Sequence, residues 1–386
     1  MNFDYLFPVD DAILGHSSRY SDQSIGNHIA IHTKQNGIPD LNDVRLAIIV
    51  IEEGRGAIGN DGAGQELDEI RKHLYQLFPG NWMTKIADLG NLPQGNTIED
   101  TYFAVKEILS NLMKLNIIPI IIGGGQDLTY ANYRAYDSLE QSVNIVSVDN
   151  KFDFGTIQDG ISSQSYLSSI VMEKPNNLFN YSNIGYQTFF NSQEEIDLIN
   201  DLFFDAYRLG EVAKNIEIVE PVLRDADIVS IDIGALRNSE APANNNATPN
   251  GFYGEDLCVI SRYAGISDKV SSFGIYEYNY KFDNKRQTAQ LIAQAVWYFI
   301  EGVNCRSNDY PFGTKDNYQK YIIPIKDEIL NFYKSDKSGR WWMEINFNEN
   351  NKYERHSLIP CTYQDYLNAN NQEIPNRWYK TLKKVV

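Results

Sequence analysis

Asp149, Lys151 and Asp153 close a run that opens apolar and β-branched, Val143-Asn144-Ile145-Val146-Ser147-Val148, and ends in charge. On an extended backbone, residues two apart point to the same face, so these three side chains are expected to project together, a cation between two carboxylates. A buried parallel strand delivers side chains in this way to a site at its C-terminal edge. Such a trio can hold a cation, or the ammonium can pair with the carboxylates as a salt-bridge cluster, since buried charges persist when paired and hydrogen-bonded. Two other segments end apolar runs in the same manner: Gly123-Gly124-Gly125-Gln126-Asp127-Leu128-Thr129-Tyr130, and Ser230-Ile231-Asp232-Ile233-Gly234-Ala235-Leu236-Arg237.

The elements that must position these groups follow from periodicity. Apolar runs of strand length fall at residues 45–51, 86–89, 117–122, 143–148, 183–186, 227–233 and 270–278. Helical patterns fall at 67–78, from the Thr97–Asp100 capping pair to about 115, in one long helix near 194–214, and in the Trp297-bearing stretch 287–302. Strands alternating with helices predict an α/β fold with a mostly parallel sheet. Residues 1–42 read as an irregular, polar lead-in packed on the core, 43–302 as the α/β domain, and 303–386 as a Tyr-, Asn- and Trp-rich extension that wraps the core or offers a partner surface. In that extension, residues 340–347 alternate as a hairpin-like element, and the Lys380–Lys384 cluster reads as a solvated helix end. The glycine-rich loop at 54–64 lacks a Walker lysine and the dinucleotide fingerprint, so it is not expected to cradle a nucleotide.

Composition narrows the function further. A net charge of −17 argues against a nucleic-acid or anionic-membrane partner. No apolar run approaches the roughly 18 residues of a membrane span, and the start Met1-Asn2-Phe3-Asp4-Tyr5 lacks the basic and apolar regions of a secretory signal. Three distant cysteines, Cys258, Cys305 and Cys361, form neither a disulfide framework nor a zinc knuckle, which suits reduced thiols in the cytoplasm.

Taken together and in order, the three segments resemble the ureohydrolase family of arginase, agmatinase and formimidoylglutamase. Gly123–Tyr130 is similar to that family's Gly-Gly-Asp-His-Ser-Leu-Thr-Tyr, Asp149–Asp153 to its Asp-Ala-His-x-Asp, and Ser230–Pro242 to its Ser-x-Asp-x-Asp-x-x-Asp-Pro-x-x-Ala-Pro. Glu277 with Asp283 and the helix from Gln287 resembles the family's closing pattern. The resemblance implies a three-layer α/β/α arginase-like fold over about 45–302, self-association, and a site of two Mn²⁺ ions whose bridging hydroxide attacks a guanidino or formimino carbon. Position by position, the six implied ligands fall on Gln126, Asp149, Lys151, Asp153, Asp232 and Gly234. Three carboxylates remain, Asp149, Asp153 and Asp232. Both histidines are replaced, and Gly234 has no side chain. Imidazole and carboxylate suit such ions, and an ammonium does not.

The expectation is therefore a vestigial, metal-free site in which Lys151, joined by Arg237, neutralises Asp149, Asp153 and Asp232. On the substrate side, Ser163 and Gln164 resemble the formimidoylglutamase branch. Glu255 or Asp256 matches the family's guanidinium-binding glutamate one residue out of register, or serves only as a helix N-terminal acid. The functional expectation is a non-catalytic binding, scaffold or regulatory protein with no cofactor, acting through a protein partner or self-association. The alternatives are a C–N hydrolase of linear amidines using a reduced or single-metal (Mn²⁺) site, and a small-molecule sensor using the old pocket.

Overall fold

A computed structural model describes residues 3–17, 20–139, 141–157, 160–311, 315–326, 328–345 and 357–385. Nine strands form one sheet: β1 (Ala30–Ile31), β2 (Val44–Ile51), β3 (Lys85–Leu92), β4 (Ile118–Ile122), β5 (Val143–Val148), β6 (Leu178–Tyr186), β7 (Asp205–Arg208), β8 (Ile228–Asp232) and β9 (Ser272–Tyr276). Their order is β1-β3-β2-β4-β9-β8-β5-β6-β7, and every recorded pairing is parallel.

The sheet is buried on both faces, as near-continuous apolar strands require. In β2, Leu46, Ile48 and Val50 enter one hydrophobic cluster, while Ala47, Ile49 and Ile51 enter the other. Helices Asp68–Gln76, Gly254–Ile266 and Gln287–Asn304 cover the first face, and Ile98–Lys114 and Leu128–Ala135 cover the second. The capping box at Thr97 forms as expected, with Asp100 N donating to Thr97 Oγ1 at 3.2 Å and Thr97 N to Asp100 Oδ2 at 2.9 Å.

Three expectations are corrected. The single helix near 194–214 is instead the helix Gln193–Asp201, strand β7 and the short helix Leu209–Lys214. Phe203, at φ +55°, turns the chain, and β7 gains backbone hydrogen bonds by pairing with the edge of β6. The lead-in is also not wholly irregular, because β1 extends the sheet beside β3. Finally, the terminal lysines are not a solvated helix end. On the helix Asn376–Val385, Lys380 bonds the Phe204 carbonyl and sits 3.4 Å from Asp205, and Lys384 bonds Asn180.

Residues beyond the α/β domain form a second, antiparallel sheet of β10 (Tyr318–Ile325), β11 (Glu328–Ser335), β12 (Trp341–Glu344) and β13 (Leu358–Cys361). The strand expected at 340–347 is β12, and residues 346 and 347 lie outside the described residues. Its tryptophans are core: Trp341, Trp342 and Trp378 are buried, and Trp341 stacks with Tyr366 at 4.8 Å, while Tyr363 and Tyr379 stay exposed. Arg224 ties this sheet to the domain, donating to the carbonyls of Trp341 (3.1 Å) and Cys361 (3.0 Å) with its guanidinium 4.5 Å from the Trp342 ring centre. Among the described residues, no helix is long and apolar enough to cross a membrane.

Candidate functional site

Four neighbouring strands, β4, β9, β8 and β5, end at one point of the sheet's C-terminal edge, where open α/β sheets place their ligands. A cavity of about 170 Å³ opens there, lined by Asp149, Lys151, Asp153, Asp232, Gly234 and Glu277, with Ser163 and Gln164 on one side and Asn244 and Asn246 on another.

The Asp149–Asp153 trio does converge, though not by strand alternation. Extended pairing stops at Val148, and Asp149 Oδ1 accepts from the Lys151 backbone N–H at 2.9 Å, curling the chain. Asp153 then adopts φ +57°. Asn183 and Asn191 fasten this turn, donating to the Lys151 carbonyl at 2.7 Å and accepting from Phe152 N at 2.8 Å. Asp149 and Asp153 end up buried and hydrogen-bonded to each other through their carboxyl groups, which share a proton because burial raises both.

The expected salt-bridge cluster is not what forms. Lys151 lines the cavity half-buried, yet among the described residues its ammonium makes no ion pair within 4 Å. Its positive field still eases the charge on Asp149, Asp153, Asp232 and Glu277. Arg237 is elsewhere: its guanidinium lies 3.4 Å from the Tyr253 ring centre and donates to the Gly251 carbonyl. The reason is local, because the chain turns away after the 3₁₀ helix Ile233–Ala235 and carries Arg237 out over a neighbouring loop.

At the end of β8, Asp232 spends one oxygen on its own backbone, accepting from Gly234 N at 2.6 Å. A Cβ at Gly234 would stand 3.0 Å from Asp232 Oδ1 and 3.2 Å from Asn244 Nδ2, so these two side chains crowd the space that a longer residue would need. Gln126 lies fully buried beneath the cavity. Its amide nitrogen reaches Ser147 Oγ (3.2 Å) and Ser230 Oγ (3.4 Å), and its Oε1 has no donor.

Glu277 is the functional-site residue that motif matching undervalued. It follows β9 at φ +70°, is buried, accepts from Gln126 N at 3.0 Å and from Asn60 Nδ2 at 2.8 Å, and burial pushes its carboxyl up to about 7. The available signal was an acid directly after an apolar strand, the same signature as Asp149. The glycine-rich loop was also undervalued, for it is neither phosphate cradle nor mere connector. Asn60 anchors Glu277, Gly56 O accepts from Ser163 N at 2.8 Å, and Ile58 forms part of the cavity wall.

Electrostatically the site is an acid cluster. Burial raises Asp149, and burial together with the Asp149 charge raises Asp153 and Asp232 well above the usual carboxylate range. Ser163 and Gln164 line the cavity. Glu255 and Asp256 do not line the cavity. Asp256 caps the helix Gly254–Ile266 by accepting from Tyr253 N at 2.9 Å, and Glu255 is solvent-exposed in the same first turn. Helix capping satisfies free N–H groups, which explains acids at that position without a ligand.

Tested against two divalent ions, these residues do not fit. Lys151 places a cation at one ligand position and Gly234 supplies nothing at another. Among the described residues, no three His, Cys, Asp or Glu side chains converge with metal-binding geometry.

Comparison with known proteins adds a lineage. Residues 47–301 match the arginase family. A formimidoylglutamase of Staphylococcus aureus (strain MSSA476) is 24% identical over 253 residues, spanning 63% of this chain and 80% of that protein. Among solved structures, formimidoylglutamase of Bacillus subtilis superposes with a TM-score of 0.67 at 18% identity, over 78% of this chain and all of its own. The Mn²⁺ form of Trypanosoma cruzi formiminoglutamase gives 0.62 at 19% identity, over 69% of this chain and 96% of its own. At such identities the structural likeness speaks for the fold.

Proposed function

The chain belongs to the arginase family, and from that premise we propose that its acidic pocket binds a small organic cation of the amidine or guanidine class, without the two-ion centre that the family motifs imply. One observation carries this reading: buried Asp149 and Asp153, hydrogen-bonded to each other, line one cavity with Asp232 and Glu277, and the Lys151 ammonium in the same wall forms no ion pair with any of them. A planar cation with several N–H groups supplies donors to adjacent carboxylates at once and favours their ionised form. The pocket, rather than the aromatic extension, is then the seat of function, because the extension's tryptophans are consumed in its own core.

The test is calorimetric titration of EDTA-dialysed protein with agmatine and with acetamidine. Binding that weakens at least tenfold in both Asp149→Asn and Asp153→Asn supports the reading. No heat with either probe, or binding indifferent to both substitutions, sinks it.

A second reading is favoured by the relatives, which are formimidoylglutamases: hydrolysis of a C–N bond in a linear amidine with one divalent ion on oxygens of Asp149, Asp153 and Asp232. Such an ion, when bound, would polarise the substrate and acidify water. In this chain Asp232 would offer the oxygen that Gly234 N does not occupy, and Lys151 would face the same cavity as a competing charge. Metal analysis of purified protein, followed by formamide and ammonia release from N-formimidoyl substrates with and without Mn²⁺, separates the two. Metal-dependent turnover abolished by Asp232→Asn would replace the first reading with the second.

A further inference from the structure

At the opposite edge of the sheet, where β2, β4 and β9 begin, lies a cavity of about 370 Å³. The strand registers assemble it. Leu46 pairs with Ile118 and Ile120 with Phe273, so Arg45, Ile117 and Val270 enter the sheet side by side. The acid pocket is remote from this place. At about 3.3 Å per residue, Val270 and Glu277, on either side of β9, stand roughly 20 Å apart.

Two arginines line the cavity, Arg45 and Arg306. Arg306 follows the helix Gln287–Asn304 and is half-buried. Its Nε donates to the Gly265 carbonyl at 3.0 Å and its Nη2 to the Val270 carbonyl at 2.8 Å. Arg45 is exposed, and its Nη1 donates to the Asn116 carbonyl at 2.7 Å. Neutral carbonyls thus orient both guanidinium groups and leave N–H groups to spare, since each fork carries five. Burial, with the Arg45 charge second, draws Arg306 down to about 10, so the two like charges feel one another.

The acids nearby are spent elsewhere. Asp268 shares the wall and its charge reaches Arg306, yet its Oδ1 accepts from Asn308 N at 3.1 Å and its Oδ2 from Asp309 N at 2.9 Å. Lys269, also in the wall, commits its ammonium to Asp225 at 3.0 Å and Asp227 at 3.7 Å. Among the described residues, neither Arg45 nor Arg306 has an acidic oxygen within 4 Å. Like charges partly withdrawn from water without a close counter-charge are costly, and a doubly charged anion offsets both at once.

We infer that this cavity binds a phosphomonoester, its phosphoryl group on Arg45 and Arg306 and its carbon body against Met113, Ile118 and Leu139. Guanidinium forks hold phosphoryl oxygens through parallel N–H···O bonds. Free phosphate shares the anionic half of this chemistry. The apolar wall and a volume in the range of small-molecule sites favour a body attached to it. The inference stands apart from the cation reading of the acid pocket, with which it shares no residue.

The probes are phenyl phosphate and inorganic phosphate, titrated calorimetrically into the full chain at matched ionic strength. Phenyl phosphate is expected to bind at least about fivefold more tightly, because its ring adds apolar burial, and both probes weaken as chloride rises. Arg306 also ties down the Gly265 and Val270 carbonyls, so the exposed Arg45 carries the test. Arg45→Gln should weaken phenyl phosphate about tenfold while the melting temperature in phosphate-free buffer stays that of wild type. Arg306→Lys, which keeps the charge and loses the fork, should weaken it severalfold. Binding of neither probe, or phenyl phosphate binding as tight in Arg45→Gln as in wild type, overturns the inference. Equal affinity for the two probes, still dependent on Arg45, overturns the phosphomonoester and assigns the arginines to free phosphate.

Discussion

Glu277 offers the sharpest test of the acid cluster. Its carboxyl is fully enclosed and rises from 4.5 to about 7, chiefly through burial, against the opposing pull of the Asn60 hydrogen bond. An acid whose pKa is raised in the folded state holds its proton longer there than in the unfolded chain. The folded state is therefore most favoured below about pH 4.5 and loses that advantage as pH climbs to about 7. At roughly 1.4 kcal/mol per pH unit, the loss across this window is about 3 kcal/mol. Glu277→Gln removes the titration and nearly keeps the shape. It also turns an amide nitrogen toward Asn60 Nδ2 or Gln126 N, a mismatch costing about 1–3 kcal/mol at every pH. That offset cancels when stabilities are compared between pH values. Urea denaturation of both proteins in EDTA at pH 4.5 and pH 8 should show the wild type losing about 3 kcal/mol more than the variant over that interval. A difference between the two proteins that stays flat with pH would mean that Glu277 is not held in an acid-crowded, desolvated pocket, and the electrostatic account of the site would fall with it.

The other predictions concern the ligand set, the backbone that shapes it and the extension. Rebuilding the family positions as Gln126→His/Lys151→His/Gly234→Asp should raise Mn²⁺ affinity at least 100-fold over wild type in calorimetry, since ligand identity dominates such sites; unchanged affinity would show that Asp232 and Asn244 crowd position 234 too firmly to yield. In Gly124→Ala, the new methyl would stand 1.8 Å from the Glu53 carbonyl oxygen, so denaturation should report a loss of about 3 kcal/mol or more. Arg224→Ala leaves the Trp341 and Cys361 carbonyls without their donor, and hydrogen exchange should quicken across β12 and β13 while β4 and β5 stay protected, at a cost of about 1–3 kcal/mol.

Much of this protein is written locally. Strands β2, β4, β5, β8 and β9 are apolar runs that have no other way to be buried, and the acids that end β8 and directly follow β5 and β9 are placed by chain connectivity alone. Gln126, Lys151 and Gly234, at positions where the family resemblance implies metal ligands, are equally legible, because they are residue identities in recognisable motifs. What local pattern could not supply was direction. Whether the Lys151 ammonium meets a carboxylate depends on the turn forced by Asp149 Oδ1 and the left-handed Asp153, and the structure leaves it unpaired. Arg237 has a sequence neighbourhood that suggests the pocket and a backbone path that takes it to Tyr253 instead. Strand β7 is polar and short, and becomes a strand only because the edge of β6 is there to pair with it. The sequence by itself determined which groups arrive at the sheet's C-terminal edge, since a parallel strand delivers whatever follows its apolar run. Only the tertiary structure decided which of them face one another: the acids gathered in one cavity, and Glu277 held among them by Asn60 from a loop more than 200 residues earlier. The physical reason is that charge pairing is settled by side-chain direction over a few ångströms, which depends on turns and cross-strand packing that no single segment contains.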